Sequence, residues 1–231
     1  MLLCNKCSND PSFGILTRQF QNCAVVGNSG ILSNSKCGNE IDSMDLVLRF
    51  NMATLKGYTD DVGIKTTIMA INREGFENLL QNKTLQERLY SLPENSIFWH
   101  FKRAKTSRGY LREMYDILNG GDLQRKGIRL AFSGRDSDLL LPTRTIWDLH
   151  YPTSGLLCFT FAATICNKIS VYGFYPFYKD ENNNPISNHY YDTENFNFTS
   201  DTAHTYNHEY SLLRALNRSN AIRLVTSRCS Y

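Results

Sequence analysis

An apolar run that stops abruptly at a glycine-rich turn is the feature that most constrains this chain. Residues 23–30 are Cys-Ala-Val-Val-Gly-Asn-Ser-Gly. The small apolar residues predict a buried strand, and the two glycines predict a tight turn where the backbone can approach a ligand closely. Residues 34–45, with apolar side chains at roughly helical spacing, predict a helix. Strand, glycine turn and helix form the nucleotide-binding unit of open α/β sheets, although ordinary strand-to-helix connections share the pattern.

The rest of the chain alternates between short apolar runs and segments of helical periodicity. The pattern predicts strands at 46–50, 65–71, 96–101, 128–132, 169–174 and 221–226. It predicts helices at 76–89, 110–118 and 156–165, and a last helix that begins near His208. Such alternation indicates one α/β domain of Rossmann-like type, with a mostly parallel sheet and helices on both faces. Residues 178–206 are instead polar with little periodicity, which is typical of a functional loop.

Length and charge exclude some classes of function. The 231 residues suffice for one α/β domain, and the net charge of +3 comes from scattered basic residues, so nothing argues for nucleic-acid binding. No window reaches 18 consecutive apolar residues, and the first residues are too few for a signal peptide. We therefore expect either a cytosolic protein or a sequence that lacks its N-terminal targeting segment.

The seven cysteines leave two interpretations open. Cys4 and Cys7 have the spacing of half a zinc site, but no second such pair follows. Other cysteines lie far apart, as in long-range disulfides, while buried thiols in a cytosolic protein are the alternative. These are Cys23, Cys37, Cys166 and Cys229. Three glycosylation sequons, at Asn82, Asn197 and Asn217, would suit a secretory-pathway protein.

Five histidines are candidates for chemistry. His100 lies in an aromatic strand and is expected in the core, and the position of His150 is uninformative. His189 lies in the polar loop, and His204 and His208 flank the start of the last helix. The last two share the spacing of metal ligands, but no third ligand is evident, so no metal site is predicted. Histidine is the natural general base near neutral pH.

Four segments together resemble the sialylmotifs of animal sialyltransferases. Residues 23–30, with 37–42, 48–51 and 61–65, resemble the long motif, and 152–156 through Cys166 to 171–177 resemble the short motif. His-Tyr-Tyr-Asp at 189–192 matches the third motif, and His204 with Glu209 matches the very short one. The cysteine-glycine pair at 37–38 and the cysteine near the C-terminus resemble the alpha-2,8 branch of this family.

The resemblance implies an inverting, metal-independent transfer of sialic acid without a cofactor. The donor would be CMP-sialic acid, and the acceptor a terminal sialic acid on a glycoprotein or glycolipid. His189 would bind the phosphate of the departing CMP, His204 would take the proton of the acceptor hydroxyl, and Glu209 would orient that site or stabilise the helix start. The positions that match donor contacts are Asn28, Ser29, Gly30, Asn51, Thr153, Ser154, Gly155, Gly173, Phe174 and Tyr175.

The resemblance also implies the disulfides, the domain boundaries and the cellular location. It implies disulfides Cys23–Cys166 and Cys37–Cys229, leaving Cys4, Cys7 and Cys158 unassigned. Family members are anchored in the Golgi membrane by an N-terminal helix and stem, so residues 1–22 would be a stem remnant and 23–231 the catalytic domain of a fragment. A homodimer is left open. Structural roles are expected for Asp45, Asp60 and Asp61, and His208 lies outside the motif.

Two departures and three alternatives accompany this interpretation. Tyr175 stands where the branch usually has Trp, and Pro152 replaces a residue of another type. A non-catalytic relative that binds nucleotide or glycan is one alternative, and a sialyltransferase of another linkage is the second. A Rossmann-type oxidoreductase is the third, but Gly-x-Gly-x-x-Gly is missing and Asn51 stands in place of the acidic residue. A weak basic patch at 102–108 favours short additions over a polymer.

Overall fold

The computed structural model describes residues 18–101, 116, 122–132, 139–193 and 204–229. Within them, seven parallel strands form one sheet in the order β5-β4-β3-β2-β1-β6-β7. The strands are β1 (Phe20–Val26), β2 (Leu46–Phe50), β3 (Ile68–Ile71), β4 (Ile97–His100), β5 (Arg129–Phe132), β6 (Cys166–Tyr172) and β7 (Arg223–Val225). The α/β fold with a parallel sheet is confirmed.

Short helices connect most of the strands. A 3₁₀ turn at Gly30–Leu32 follows β1 directly. The α-helices are α1 (Gly38–Asp42), α2 (Thr59–Val62), α3 (Arg73–Gln81), α4 (Lys83–Tyr90), α5 (Asp122–Arg125), α6 (Leu140–Trp147), α7 (Ser154–Ile165) and α8 (Tyr206–Arg218). No helix in the described ranges is long and apolar enough to cross a membrane.

The strand order places a crevice at one point of the sheet. The chain builds outward from β1 to β5 and then returns, so that β6 pairs with the other side of β1, with Val26 opposite Tyr172. Beside such a reversal the connections leave in opposite directions from neighbouring strand ends, and ligands of open α/β sheets bind there. The carboxyl ends of β1 and β6 are therefore the expected location of a site.

Apolar side chains cover both faces of the sheet. Val25 of β1 packs in the cluster that holds α7, whereas its neighbour Val26 packs on the other face with Ile41 of α1. Helix α7 is apolar around most of its circumference, and Leu156 and Phe159 are almost fully buried. Burial of each such side chain contributes about 1.5–3 kcal/mol. The predicted arrangement of helices on both faces is confirmed.

Both disulfides implied by the resemblance are present. Cys23–Cys166 joins β1 to the first residue of β6, and Cys37–Cys229 joins the start of α1 to the segment after β7. Cys158 takes part in neither and is buried within α7. The bonds close long stretches of chain, with sequence separations of 143 and 192 residues. They therefore constrain the unfolded chain strongly.

Two predicted helices were wrong in extent. The single helix at 76–89 is two helices, because Asn82 is extended and its side chain accepts the backbone N–H groups of Thr84 and Leu85 to begin α4. The predicted helix at 34–45 contains only the short α1. Asn34 and Lys36 both have positive φ angles of 62° and 55°, which interrupt a helix. Amide capping and left-handed residues therefore override the apolar spacing.

Element boundaries shift by a few residues elsewhere. The third strand begins at Ile68 rather than residue 65, the sixth is Cys166–Tyr172 rather than 169–174, and the last helix begins two residues before His208. The expected structural aspartates bind other groups: Asp45 accepts the Asn22 N–H, Asp61 accepts two backbone N–H groups, and Asp60 pairs with Lys36.

Some predictions lie outside the described residues. They concern the helix at 110–118, of which only Asp116 is described and is helical, the basic patch at 102–108, the sequon at Asn197, and the pair Cys4 and Cys7.

Loss of the Cys37–Cys229 disulfide is predicted to destabilise the fold. Replacing both cysteines with serine should lower the free energy of unfolding by about 2–5 kcal/mol, because the unfolded chain regains loop entropy. Urea unfolding of the parent and the double variant without reductant measures the effect, because reductant also breaks Cys23–Cys166. Cys158→Ala removes a buried sulfur and should keep the reductant sensitivity of the parent. Equal stability of the parent and the double variant without reductant would contradict the prediction.

Candidate active site

Two glycine turns meet where β1 and β6 end. The Gly27 N–H donates to the Tyr172 carbonyl (2.7 Å), and the Ser29 N–H donates to the Gly173 carbonyl (3.2 Å). A Cβ on Gly27 would lie 2.5 Å from the Gly173 oxygen, and Gly173 has a φ of +67°. Side chains are therefore excluded here by the contact between the two turns. The backbones of the two turns thus pack directly together at the point where the strand order predicts a crevice.

A loop from the polar segment closes over the first turn. The Gly30 N–H donates to the Ser187 carbonyl (3.2 Å), and a Cβ on Gly30 would lie 2.4 Å from the same oxygen. The Tyr190 N–H donates to the Asn28 carbonyl (2.9 Å), and the buried Tyr190 hydroxyl donates to Thr54. The glycine at position 30 thus serves the packing of this loop, which brings His189 to the end of β1.

The two predicted donor-binding asparagines lie on neighbouring strand ends. The Asn28 side-chain amide donates to the Phe50 carbonyl at 3.5 Å, a long hydrogen bond. Asn51 follows β2 with a φ of +52°, a conformation that Asn adopts more readily than most residues, and its side-chain oxygen accepts the Asn72 N–H (3.0 Å). Both amides thus lie at the carboxyl edge of the sheet, although each also supports its own turn.

Aromatic residues after β6 connect this edge to α7. A Cβ on Gly155 would lie 2.6 Å from the Phe174 ring, which also packs edge-on against Phe50 with centroids 5.9 Å apart. The Tyr175 carbonyl accepts the Ser29 hydroxyl (3.0 Å), and its ring packs edge-on against Tyr210 of α8. Tyr175 is buried, and its own hydroxyl donates to the Lys179 carbonyl. Little of its ring is therefore exposed for contact with a ligand.

His189 is oriented by two neighbours in the loop. Its Nδ1 lies 2.7 Å from the Asp192 carboxylate, and its ring stacks on Tyr191 at a centroid distance of 5.0 Å. A carboxylate can only accept, so Nδ1 carries the proton of this hydrogen bond. The other ring nitrogen, Nε2, is then left for a ligand. Asp192 lies three residues on, and this spacing in the sequence was a signal for the pair.

Glu209 is a buried carboxylate in the first turns of α8, and its partner lies in another part of the chain. It accepts the Thr153 backbone N–H (2.7 Å) and the Thr153 hydroxyl, 56 residues away. The same hydroxyl oxygen accepts the Leu156 N–H and so caps α7. Burial raises the pKa of Glu209, and the hydrogen bonds from Thr153 offset part of that rise. Glu209 therefore fixes the start of α7 against α8.

His204 is held in one tautomer at the entrance to α8. Its Nδ1 lies 2.8 Å from the Tyr151 carbonyl oxygen. Because a carbonyl only accepts, Nδ1 must donate, and in the neutral ring Nε2 then carries the lone pair. A half-buried imidazole with a lone pair on Nε2 can accept a proton from a ligand hydroxyl. No pattern in the sequence indicated that the Tyr151 carbonyl selects this tautomer.

The other three histidines lie in surroundings that differ from those of His189 and His204. His208 is exposed on α8, His100 is buried in β4 against Phe76, and His150 packs edge-on against Tyr151. In the described ranges, no group of three or more His, Cys, Asp and Glu residues is placed to hold a metal ion.

Gly173→Ala is predicted to destabilise the protein more than Gly57→Ala. Both glycines have positive φ angles, +67° and +89°, but a Cβ at Gly173 would lie 2.8 Å from the Gly27 oxygen, whereas Gly57 has open space. The loss of unfolding free energy should therefore be about 1–3 kcal/mol larger at Gly173. Denaturant unfolding of the two variants measures this difference. Equal losses would show that the strand ends can separate freely.

Glu209→Gln is predicted to change how stability depends on pH. The folded-state pKa of Glu209 lies above its ordinary value of 4.5, so unfolding between these two values releases a proton. The free energy of unfolding contributed by this group therefore falls as the pH rises through that window. The variant should lack this decline. Glu87→Gln, which removes an exposed carboxylate of α4, is the control. An unchanged slope in Glu209→Gln would refute the assignment.

Comparison with known proteins agrees with this geometry. An alpha-N-acetylneuraminide alpha-2,8-sialyltransferase of Xenopus tropicalis is 30% identical over 214 residues, which cover 90% of this chain and 61% of the relative. The chain thus spans about three fifths of the length of that relative. A mammalian sialyltransferase crystal structure superposes with a TM-score of 0.60 at 24% identity, covering 90% of this chain and 70% of the other.

A bacterial structure shares the fold more distantly. The sialyltransferase CstII from Campylobacter jejuni, solved with cytidine-5'-monophosphate, superposes with a TM-score of 0.50 at 18% identity, covering 89% of this chain and 79% of that one. The decisive match is at family level. The sequence profile of "Glycosyltransferase family 29 (sialyltransferase)" matches residues 4–117 and 132–221. The chain therefore belongs to glycosyltransferase family 29, the sialyltransferases.

Proposed function

We propose that this protein transfers sialic acid from CMP-sialic acid to a terminal sialic acid of a glycan, forming an alpha-2,8 linkage with inversion and without a metal. The observation that carries the proposal is the hydrogen bond from His204 Nδ1 to the Tyr151 carbonyl, which leaves Nε2 as a base. The linkage is supported by the printed function of the Xenopus tropicalis relative. Because the chain spans only about three fifths of that relative, both the alpha-2,8 linkage and the sialylated acceptor are proposed here.

The donor would lie across the carboxyl ends of β1, β2 and β6. Asn28 and Asn51 present amides there, and Ser154 and Gly155 begin α7 beside them. Amides and hydroxyls suit cytosine, ribose and the sialyl group, which offer many donors and acceptors. The backbone N–H groups in the first turn of α7 favour the anionic part of the donor.

His189 would assist departure of CMP. In its protonated form Nδ1–H stays bound to Asp192, and Nε2–H donates to a phosphate oxygen of the donor. The hydrogen bond strengthens as negative charge develops on the phosphate in the transition state. Stacking on Tyr191 keeps the ring in this orientation, so little reorganisation is needed.

His204 would activate the acceptor in a single displacement. The acceptor hydroxyl oxygen attacks the anomeric carbon while Nε2 of His204 takes its proton. The bond from the anomeric carbon to the phosphate oxygen breaks, and CMP leaves with the electron pair. Attack from the face opposite CMP gives inversion. Glu209 supports this step indirectly, since it fixes the helices on either side of the acceptor hydroxyl.

Catalysis rather than binding alone, a Golgi location and independence of metal ions are also proposed. The hydrogen bonds of His189 to Asp192 and of His204 to the Tyr151 carbonyl support a role in catalysis over a role in binding alone. Two disulfides suit an oxidising compartment, in keeping with the Golgi lumen. A mechanism in which His189 and the N–H groups at the start of α7 stabilise the charge on the phosphate needs no metal.

His204→Ala is predicted to abolish most transfer. With CMP-sialic acid and a sialylated glycoprotein as substrates, kcat for CMP release should fall by about 10²–10⁴-fold, the usual contribution of a general base. His208→Ala, at an exposed position in the first turn of α8, should retain activity. The donor KM should change little, because His204 contacts the acceptor.

Three outcomes would count against the proposal. CMP release that is unchanged in His204→Ala would exclude it as the base. Donor binding without any release by the parent protein would favour a non-catalytic relative. Activity that is lost in EDTA and restored by Mg²⁺ would exclude the metal-independent mechanism.

A further inference from the structure

One arginine lies next to the residue that anchors His204. The guanidinium carbon of Arg144, on α6, is 5.3 Å from the centroid of the Tyr151 ring. The Tyr151 carbonyl in turn accepts from His204 Nδ1. A positive charge is therefore connected to the candidate base through a single intervening residue. Tyr151 is 56% exposed, so this surface faces solvent beside the site.

The described part of the chain does not neutralise this arginine. Its Nε is enclosed without a hydrogen-bond partner in the described ranges. Asp148, four residues later, ends α6 in the left-handed conformation, with φ at +51°, and forms no ion pair with Arg144 in the described ranges. The ring of Tyr151, rather than a carboxylate, holds the guanidinium in place. The arginine thus keeps its charge for a partner from outside the chain.

The position identifies the chemistry of that partner. His204 and Arg144 both contact Tyr151, the first through its carbonyl and the second through its ring, so a positive charge lies one residue away from the candidate base. A planar guanidinium favours carboxylates, and a tyrosine ring offers an apolar surface with a polar edge to a sugar. A terminal sialic acid carries one carboxylate on the same sugar as the reacting hydroxyl, whereas a galactose terminus carries none.

We propose that Arg144 binds the carboxylate of the acceptor's terminal sialic acid and so selects sialylated over neutral glycans. This inference rests on the proposed function, because it takes the acceptor to be the ligand that reaches His204. It assigns no chemical step to Arg144, which acts as a specificity-determining residue for the acceptor.

Arg144→Gln tests the inference with a matched pair of acceptors. The probes are sialyllactose and its carboxyl methyl ester, which differ only in the charge. The acceptor KM of the parent should be lower for the acid than for the ester by about 10–100-fold, the range of a charge-assisted hydrogen bond. The variant should lose this preference while its donor KM and its acceptor-independent hydrolysis of CMP-sialic acid stay unchanged. Arg144→Lys should restore the preference in part.

Arg18→Gln is the matched control. Its guanidinium lies 5.4 Å from the centroid of the Phe20 ring, the same type of contact, at the opposite end of β1. This variant should keep the parental preference for the acid. Thermal unfolding of all three variants separates a binding effect from misfolding.

Direct binding separates failure of this inference from failure of the proposed function. Binding of sialyllactose with CMP present, measured by saturation-transfer NMR, requires no turnover. Weaker binding in Arg144→Gln supports the inference even if the parent releases no CMP. Equal binding by parent and variant, no detectable binding by the parent, or an acid-over-ester preference that survives in the variant would each overturn it.

Discussion

The hydrogen bonds between Glu209 and Thr153 are the interaction on which the rest of the site depends. Glu209 accepts both donors of Thr153, and the Thr153 oxygen caps α7. These bonds set the position of α8 against α7, and His204 lies at the start of α8 with its own bond to Tyr151, two residues before Thr153. The burial that raises the pKa of Glu209 thus accompanies the hydrogen bonds that join the starts of α7 and α8 beside His204.

The end of the sheet where we propose that the donor binds depends on a different constraint, the close contact of two strand ends. Gly27 and Gly173 meet without side chains, and the loop that carries His189 is fixed to them through Ser187 and Tyr190. These bonds join the long, short and third motifs into one rigid edge of the sheet. The disulfide Cys23–Cys166 holds the same two strands together away from that edge.

Residue patterns in the sequence predicted the strands and helices correctly where the pattern that defines an element lies within that element. Apolar runs predicted all seven strands to within a few residues, since buried parallel strands are apolar on both faces. The break at Asn82 was missed because an amide cap acts against helical spacing that continues on both sides. The partners of Glu209 and His204 were missed for another reason. Thr153 and Tyr151 lie more than 50 residues away, and the tertiary fold brings the segment before α7 next to the start of α8.

The tautomer of His204 is the most direct test of the mechanism. Side-chain ¹⁵N–¹H correlation spectra, recorded above the ordinary histidine pKa of about 6.5, distinguish the two ring nitrogens, and His204→Gln assigns the signal by its loss. The geometry predicts a proton on Nδ1 and an unprotonated Nε2, because the Tyr151 carbonyl can only accept. A neutral ring with its proton on Nε2 would contradict the assignment of His204 as the base.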